Sequence, residues 1–87
     1  MATNDAFEAA QQRVKTLSKT PAPDELLELY ALYKQATVGD AQGSRPGMLD
    51  FKGRAKFDAW SAKKGVAKSN AESDYVKLVG KLVDKYG

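Results

Sequence analysis

The side chains best suited to bind an anion lie in two short clusters of lysine and aromatic residues. In the first cluster, Tyr30, Tyr33 and Lys34 are three and four residues apart, so a helix would place them on neighbouring parts of its surface. Such a surface could stack on a nucleobase through its rings and hold a phosphate through hydroxyl and ammonium groups. The ordinary structural interpretation is that the tyrosines are core aromatics with their hydroxyls at the rim. These residues alone leave both interpretations open.

The second cluster combines Lys52 and Lys56, one helical turn apart, with Trp60 four residues further on. Two lysines on the same side of a helix could clamp an anion, because ammonium groups form charge-assisted hydrogen bonds with phosphate. The alternative is a solvated basic face beside a core tryptophan. Lys15 and Tyr75 are candidates to join this cluster through the fold.

Catalysis and metal binding are disfavoured by the composition. The chain has no cysteine and no histidine. Disulfide frameworks, thiol nucleophiles, serine triads, zincins and zinc fingers are therefore excluded. The carboxylates are scattered along the chain, and neither a Walker loop nor a dinucleotide fingerprint occurs. We therefore expect no enzyme, no catalytic residue, no metal site and no cofactor.

The chain length and charge favour one small globular domain. The 87 residues carry a net charge of +3 and are 43% hydrophobic, so we expect a single domain over residues 1–87 with a modest core. Residues 1–8 contain acids and no apolar segment, which predicts no secretory signal. The longest apolar run, residues 29–33, is far short of the ~20 residues that cross a bilayer. A soluble, cytoplasmic protein is predicted.

Hydrophobic periodicity predicts an all-α fold with four helices around one core. The predicted helices span residues 4–17, 23–38, 51–64 and 68–86. Thr3 or Asn4 is expected to cap the first helix and Asp50 the third, while Gly39 and Gly65 end the second and third. Residues 69–72 match a capping box, and residues 46–47 suit the centre of a type II turn.

Two long stretches resemble the acyl-CoA-binding protein family. They are YALYKQATVGD at residues 30–40 and RPGMLDFKGRAKFDAW at residues 45–60, and the resemblance covers essentially the whole chain. Members of that family are soluble four-helix proteins of up-down-down-up topology. They bind long-chain fatty acyl-CoA thioesters one to one and catalyse nothing. The resemblance therefore implies this fold and this ligand.

The resemblance also implies roles for individual residues. Lys34, Lys56 and the Tyr30 hydroxyl would hold the 3′-phosphate of the ribose, and Tyr33 and Tyr75 would contact the adenine and ribose. Further lysines would complete the basic surroundings of the head group, and apolar residues such as Leu26 and Leu27 would line an acyl groove. The implied ligand-binding set is Lys15, Tyr30, Ala31, Leu32, Tyr33, Lys34, Lys52, Lys56 and Tyr75.

Several positions depart from the family's common pattern without touching the proposed head-group residues. Phe57 stands where many members have tryptophan, and Thr20 where lysine is frequent. Ala67 stands where many have a capping serine, so we expect the fourth helix to start at Ser69. Gly80 lies inside that helix, at a cost of about 1 kcal/mol relative to alanine.

The resemblance favours an intracellular carrier and pool former for acyl-CoA, with transient contacts to membranes or to enzymes that use acyl-CoA. The alternative from another class is a basic helical module that binds nucleic acid, which the basic charge and aromatic residues would support. Only three arginines and no recognised motif argue against it. We expect a monomer with no nucleic-acid partner, because four packed helices leave no apolar seam.

Overall fold

The computed structural model describes residues 5–87. These residues form α1 (Asp5–Val14), α2 (Pro23–Thr37), α3 (Phe51–Ser61) and α4 (Lys68–Tyr86), with no strand in the described part of the chain. The predicted all-α, four-helix fold is confirmed. The cap predicted on Thr3 or Asn4 lies outside the described residues.

The central helix is α2, which packs against both α3 and α4, whereas α1 packs against α4. Helices α2 and α3 are parallel. The Lys56 ammonium lies over the Tyr30 ring, and one turn later in both helices the Lys34 ammonium lies over the Trp60 ring. Since the residue numbers of the paired positions increase in the same direction along both helices, the two chains run the same way. The amino-terminal halves of α2 and α3 therefore lie side by side.

The carboxyl end of α4 meets the amino end of α2. There the Tyr86 hydroxyl donates to the Glu25 carboxylate at 2.6 Å. At the other end of α2, the Gln35 amide donates to the Val66 carbonyl at 2.8 Å, just before α4 begins. The chain after α1 returns to the end of α4, where the Ser18 N–H donates to the Tyr86 carbonyl at 3.1 Å. Thus α1 and α4 are parallel to each other and antiparallel to α2 and α3, which confirms the up-down-down-up topology.

The hydrophobic core lies between α1, α2 and α4. Its buried members come from these three helices only: Phe7, Ala10, Leu29, Leu32, Ala36, Ala71, Tyr75, Val79 and Leu82. No residue of α3 is buried. Helix α3 is therefore held mainly by its contact with α2, and its apolar side chains remain accessible.

Three of the predicted cap and turn residues have the hydrogen bond or the backbone angle expected of them. Asp50 caps α3, since its carboxylate accepts from the Gly53 N–H at 2.9 Å. Gly39, after α2, and Gly65, after α3, have φ angles of +99° and +90°. This left-handed conformation strains other residues, which explains glycine at both positions, although α3 itself ends four residues before Gly65.

The predicted capping box at the start of α4 is wrong. The helix begins at Lys68, and the capping position falls on Ala67, which has no side-chain acceptor. The Ala71 N–H donates to the Ala67 carbonyl at 2.9 Å, and in the preceding turn the Asp40 carboxylate accepts from the Gly65 N–H at 2.9 Å. Ser69 therefore lies inside the first turn of the helix rather than ahead of it.

Two further local predictions need correction. The type II turn at residues 46–47 is wrong, because such a turn needs a positive φ at Gly47 and the structure has positive φ at Gly43 instead. Helices α1 and α3 each end three residues earlier than predicted, at Val14 and Ser61. Both helices continue into tighter turns whose N–H groups bond three residues back, which ends the regular α-helix.

Candidate ligand-binding site

An apolar groove runs between the first halves of α2 and α3. Its volume is about 380 Å³. Leu26 and Phe51, on opposite walls, are 42% and 72% exposed. The groove is lined by Pro23, Leu26, Leu27, Tyr30, Phe51, Lys52, Ala55 and Lys56.

The groove exists because α3 contributes no residue to the core. Phe51 and Ala55, four residues apart, share one face of α3 and point into the groove beside α2. Apolar side chains exposed to water in a concave site favour an apolar ligand, since each buried methylene group contributes about 0.8 kcal/mol. The groove therefore suits an aliphatic chain.

A basic and aromatic seam continues from the groove along the α2–α3 contact. It consists of two crossed pairs: Lys56 lies 5.4 Å from the centre of the Tyr30 ring, and Lys34 lies 4.9 Å from that of Trp60. Each helix thus supplies one cation and one ring. Neither lysine forms an ion pair among residues 5–87. Two unneutralised ammonium groups with ring partners and a phenol hydroxyl form a suitable site for a phosphate.

Trp60 is fixed in this seam by its own hydrogen bond. The indole N–H donates to the Gly39 carbonyl at 2.7 Å, immediately after α2 ends. The neighbouring Asp40 carboxylate accepts from the Gly65 N–H and from the Gln35 amide, which hold the pKa of Asp40 below its ordinary value. These bonds join the end of α2 to Trp60 and to the turn after α3, so the ring under Lys34 is held at a fixed point of the backbone.

A second aromatic cluster lies on the other side of α2. The Phe7 ring packs edge-on against Tyr75, with centres 5.1 Å apart, and stacks on Tyr33 at 6.2 Å. Tyr75 is only 5% exposed, and burial raises the pKa of its phenol. Tyr33 is 38% exposed. Within this trio, Tyr33 is therefore the ring most accessible to a planar ligand group.

The structure separates residues that the sequence grouped together. Tyr30 and Lys34 face α3, whereas Tyr33 packs against residues of α1 and α4. Lys52 lies at the groove, as predicted for a residue near Lys56. The expected site therefore extends over two sides of the central helix.

Three members of the expected set lie elsewhere. Ala31 and Leu32 are buried, so their side chains contact other protein groups. Lys15 lies in the exposed turn after α1. Because α1 packs against α4 and not against α3, helix packing alone does not bring Lys15 to the seam.

Some site residues were not identified from the sequence. Trp60 was grouped with Lys52 and Lys56 on its own helix, yet its cation partner is Lys34 on α2. Phe51 and Ala55 complete the groove wall. Phe51 and Ala55 are one helical turn apart, and each directly precedes one of the two lysines, Lys52 and Lys56. This spacing predicts an apolar strip beside a basic one on α3 and could have identified both residues.

The described residues contain neither a candidate metal-binding cluster nor a candidate membrane-spanning helix. Among them, no group of three or more acidic, histidine or cysteine residues is placed to hold a metal ion. Within residues 5–87, no helix combines the length and apolar character required to cross a membrane.

Fold and site together define a small helical protein with an apolar groove that opens beside a cationic, aromatic seam. A family model described as "Acyl CoA binding protein" matches residues 4–79. The chain therefore belongs to the acyl-CoA-binding protein family.

The similarity to known proteins covers nearly the whole chain. The Caenorhabditis elegans protein named acyl-CoA-binding protein homolog 1 is 55% identical over 82 residues, which cover 94% of this chain and 95% of that protein. The crystal structure of acyl-CoA-binding protein 2 from Oryza sativa has a TM-score of 0.89 at 42% identity, covering 93% of this chain and 88% of that one. The solution structure of the yeast acyl-coenzyme A binding protein has a TM-score of 0.75 at 46% identity, covering 97% and 98%.

Proposed function

We propose that this protein binds long-chain fatty acyl-CoA thioesters, one per chain, and serves as an intracellular carrier and pool former for them. The observation that carries the proposal is the direct continuity of the apolar groove with the crossed lysine–aromatic seam: Tyr30 and Lys56 belong to both. An acyl-CoA has the same division, with an apolar tail joined to a multiply charged nucleotide. Membership of the acyl-CoA-binding protein family supports this assignment.

The seam is proposed to hold the nucleotide head group. Lys34, Lys56 and the Tyr30 hydroxyl would bind the 3′-phosphate. Charge-assisted hydrogen bonds of this kind are worth about 1.5–3 kcal/mol each. Lys52 and Lys15 would add to the basic surroundings, as both are exposed.

The adenine and ribose are proposed to lie against Tyr33 and Tyr75. The exposed Tyr33 ring offers a stacking surface, and stacking of a base on an aromatic side chain contributes about 1–3 kcal/mol. Tyr75 packs beside it, with ring centres 6.5 Å apart, and holds that surface in place from the core.

The groove is proposed to bind the acyl tail, with Leu26 and Leu27 on the α2 wall. A palmitoyl chain has about fourteen methylene groups, whose complete burial would contribute about 11 kcal/mol before the costs of association. The tail would therefore supply much of the affinity and the head group the specificity. Free palmitate would bind poorly, since it lacks the nucleotide.

The carrier role follows from the chemistry of the ligand and from the binding mode. A single domain over residues 1–87, acting as a cytoplasmic monomer, would keep a detergent-like thioester in solution without reacting with it. The chain offers no histidine or cysteine for catalysis. Neither the matched family nor the relatives named above support the nucleic-acid alternative.

Substitution of Lys56 by methionine tests the phosphate assignment. Lys56→Met should weaken palmitoyl-CoA binding by roughly tenfold to 150-fold, the equivalent of one lost charge-assisted hydrogen bond. The same substitution should leave the affinity for 3′-dephospho-palmitoyl-CoA nearly unchanged, because that ligand lacks the group that Lys56 is proposed to hold. Lys77→Met, at an exposed lysine of α4, is the matched control and should affect neither ligand. Equal losses for both ligands would refute the phosphate assignment.

A further inference from the structure

The carboxyl end of α4 holds the first turn of α2 through the side chain of Glu25. The Tyr86 hydroxyl donates to Oε1 of the Glu25 carboxylate at 2.6 Å, and the Ala22 N–H donates to the same oxygen at 2.8 Å. The Lys85 ammonium donates to the other oxygen at 3.1 Å. We refer to the two hydrogen bonds that Glu25 accepts from Tyr86 and Ala22 as the latch. One carboxylate oxygen thus joins the last residue of α4 to the residue before α2.

The latch supplies what the capping residue of α2 does not. Ala22 occupies the capping position and offers no side-chain acceptor to the free N–H groups of the first turn. The Glu25 side chain is only 19% exposed, so water competes little for its hydrogen bonds. The Lys85 side chain is 59% exposed, and an ion pair of this kind contributes little. The position of the first turn of α2 therefore depends chiefly on the latch.

The same turn of α2 forms one end of the apolar groove. Pro23 and Leu26 lie on either side of Glu25 in the chain and line the groove, whose opposite wall begins at Phe51. The seam with Lys34 continues from the other end of the groove. A ligand with its head group in the seam would therefore direct the end of its acyl chain toward Pro23 and Phe51. The latch and the far end of the groove share one helical turn.

We infer that the latch determines how much of a long acyl chain the groove retains, so that Tyr86 and Glu25 are positioning residues for the acyl end. The inference rests on the proposed function, because it requires the tail to lie in the groove. Without the Tyr86 hydroxyl, the first turn of α2 loses a support and moves away from Phe51 more readily. A chain that reaches this turn then loses contacts, whereas a shorter chain, held nearer the seam, keeps them.

Chain length distinguishes this role from a general effect on stability. The variant is Tyr86→Phe, which removes the hydroxyl and keeps the ring. Each methylene group returned to water lowers the affinity about fourfold, so release of one or two should weaken palmitoyl-CoA binding about fourfold to 15-fold. Octanoyl-CoA, whose chain ends short of the latch, should keep its native affinity. Calorimetry measures both ligands, and an equal loss for both, or no loss for either, would overturn the inference.

Substitutions at Glu25 identify the interaction responsible. Glu25→Gln keeps a side-chain oxygen that accepts from Tyr86 and Ala22, so this variant should bind palmitoyl-CoA like the native protein. Glu25→Ala removes the acceptor and should reproduce the selective loss expected for Tyr86→Phe. A loss in Glu25→Gln as large as that in Glu25→Ala would assign the effect to the charge of Glu25 and would overturn the role of the latch.

Val79→Ala is the control for lost stability. Val79 lies on α4, as Tyr86 does, but it is fully buried in the core and lines neither the groove nor the seam. Removing its two methyl groups leaves a cavity that should destabilise the fold. The ratio of the dissociation constants for octanoyl-CoA and palmitoyl-CoA should nevertheless stay at its native value. A change in this ratio as large as that in Tyr86→Phe would show that any loss of stability has the effect, and would refute the inference.

Hydrogen exchange separates failure of the inference from failure of the proposed function. The Leu26 N–H donates to the Ala22 carbonyl at 3.0 Å, so its exchange reports on the first turn of α2 without any ligand. Tyr86→Phe should accelerate this exchange more than that of the Leu32 N–H, in the middle of the helix. Equal acceleration at both would contradict local release of the turn.

The native protein provides the remaining distinction. If it binds neither thioester, the proposed function and the role in retaining the acyl end are both refuted, while faster exchange at Leu26 in Tyr86→Phe would still show that the latch holds the turn. If it binds both thioesters and Tyr86→Phe leaves their ratio unchanged, the inference alone is refuted.

Discussion

Acyl-chain length is the perturbation that probes the apolar groove most directly. Replacing dodecanoyl-CoA by octanoyl-CoA removes four methylene groups and leaves the head group unchanged. Complete burial of these groups would contribute about 3 kcal/mol. Since the groove is open to solvent on one side, we expect the binding free energy to fall by about 1.5–3 kcal/mol. The dissociation constant of the shorter ligand should therefore be about tenfold to 150-fold larger.

The volume of the groove also predicts where this dependence ends. A volume of about 380 Å³ holds about a dozen water-sized groups of ~30 Å³, and a methylene group is of similar size. Extending the chain from hexadecanoyl-CoA to eicosanoyl-CoA adds the same four methylene groups, which we expect to extend past the groove into solvent. This second step should therefore increase the affinity much less than the first.

Isothermal titration calorimetry of the four ligands against the native protein is the assay. Free coenzyme A, which lacks the acyl chain altogether, sets the head-group baseline in the same buffer. A difference under about threefold between dodecanoyl-CoA and octanoyl-CoA would refute burial of the tail in this groove. An equal gain for both extensions would show that the bound chain extends beyond the groove described here.

Three further predictions concern the stability of the fold. Gly80→Ala should stabilise the protein by about 0.4–1 kcal/mol in urea unfolding, because a methyl group there meets no atom within 4 Å beyond its chain neighbours and its own helix backbone, and alanine favours the helix; a loss of stability would contradict this. Asp50→Ala should cost about 1 kcal/mol in the same measurement through loss of the α3 cap, and an unchanged midpoint would show that the Gly53 N–H has another acceptor. The hydrogen bond from the Tyr86 hydroxyl is the main cause that lowers the pKa of Glu25 in the folded protein. The ionised Glu25 therefore stabilises the fold at pH values above its unfolded pKa, and this stabilisation is lost as the pH falls through its folded pKa. Tyr86→Phe should accordingly be less stable than the native protein at neutral pH, and thermal unfolding should show the difference narrowing below pH about 4.5; a constant difference would contradict it.

The sequence predicted the four helices well because each has apolar residues at helical spacing or a clear end signal. Its errors occurred where distant residues determine the local structure. The turn before α4 is held by a bond from the Gly65 N–H to Asp40, 25 positions away, which the residues next to Ser69 do not reveal. At Gly47 the pair of turn residues was present, but the positive φ falls on Gly43.

The candidate site shows the same division. Spacing along one helix correctly placed Tyr30 beside Lys34 and Lys56 beside Trp60. The crossed pairing between the helices depends on the parallel docking of α2 and α3, which no local pattern encodes. Helical spacing likewise places Tyr33 beside Tyr30, since residues three apart are neighbours on a helix surface. On a central helix, however, the small angle between them is enough for the two rings to contact different neighbouring helices.

The most direct test of the central claim is calorimetric titration of the native protein with palmitoyl-CoA, run beside coenzyme A and palmitate. Our account predicts tight one-to-one binding of the thioester and much weaker binding of either half, because groove and seam act on one ligand. Equal affinity for palmitate and palmitoyl-CoA, or no binding of any of the three, would contradict it.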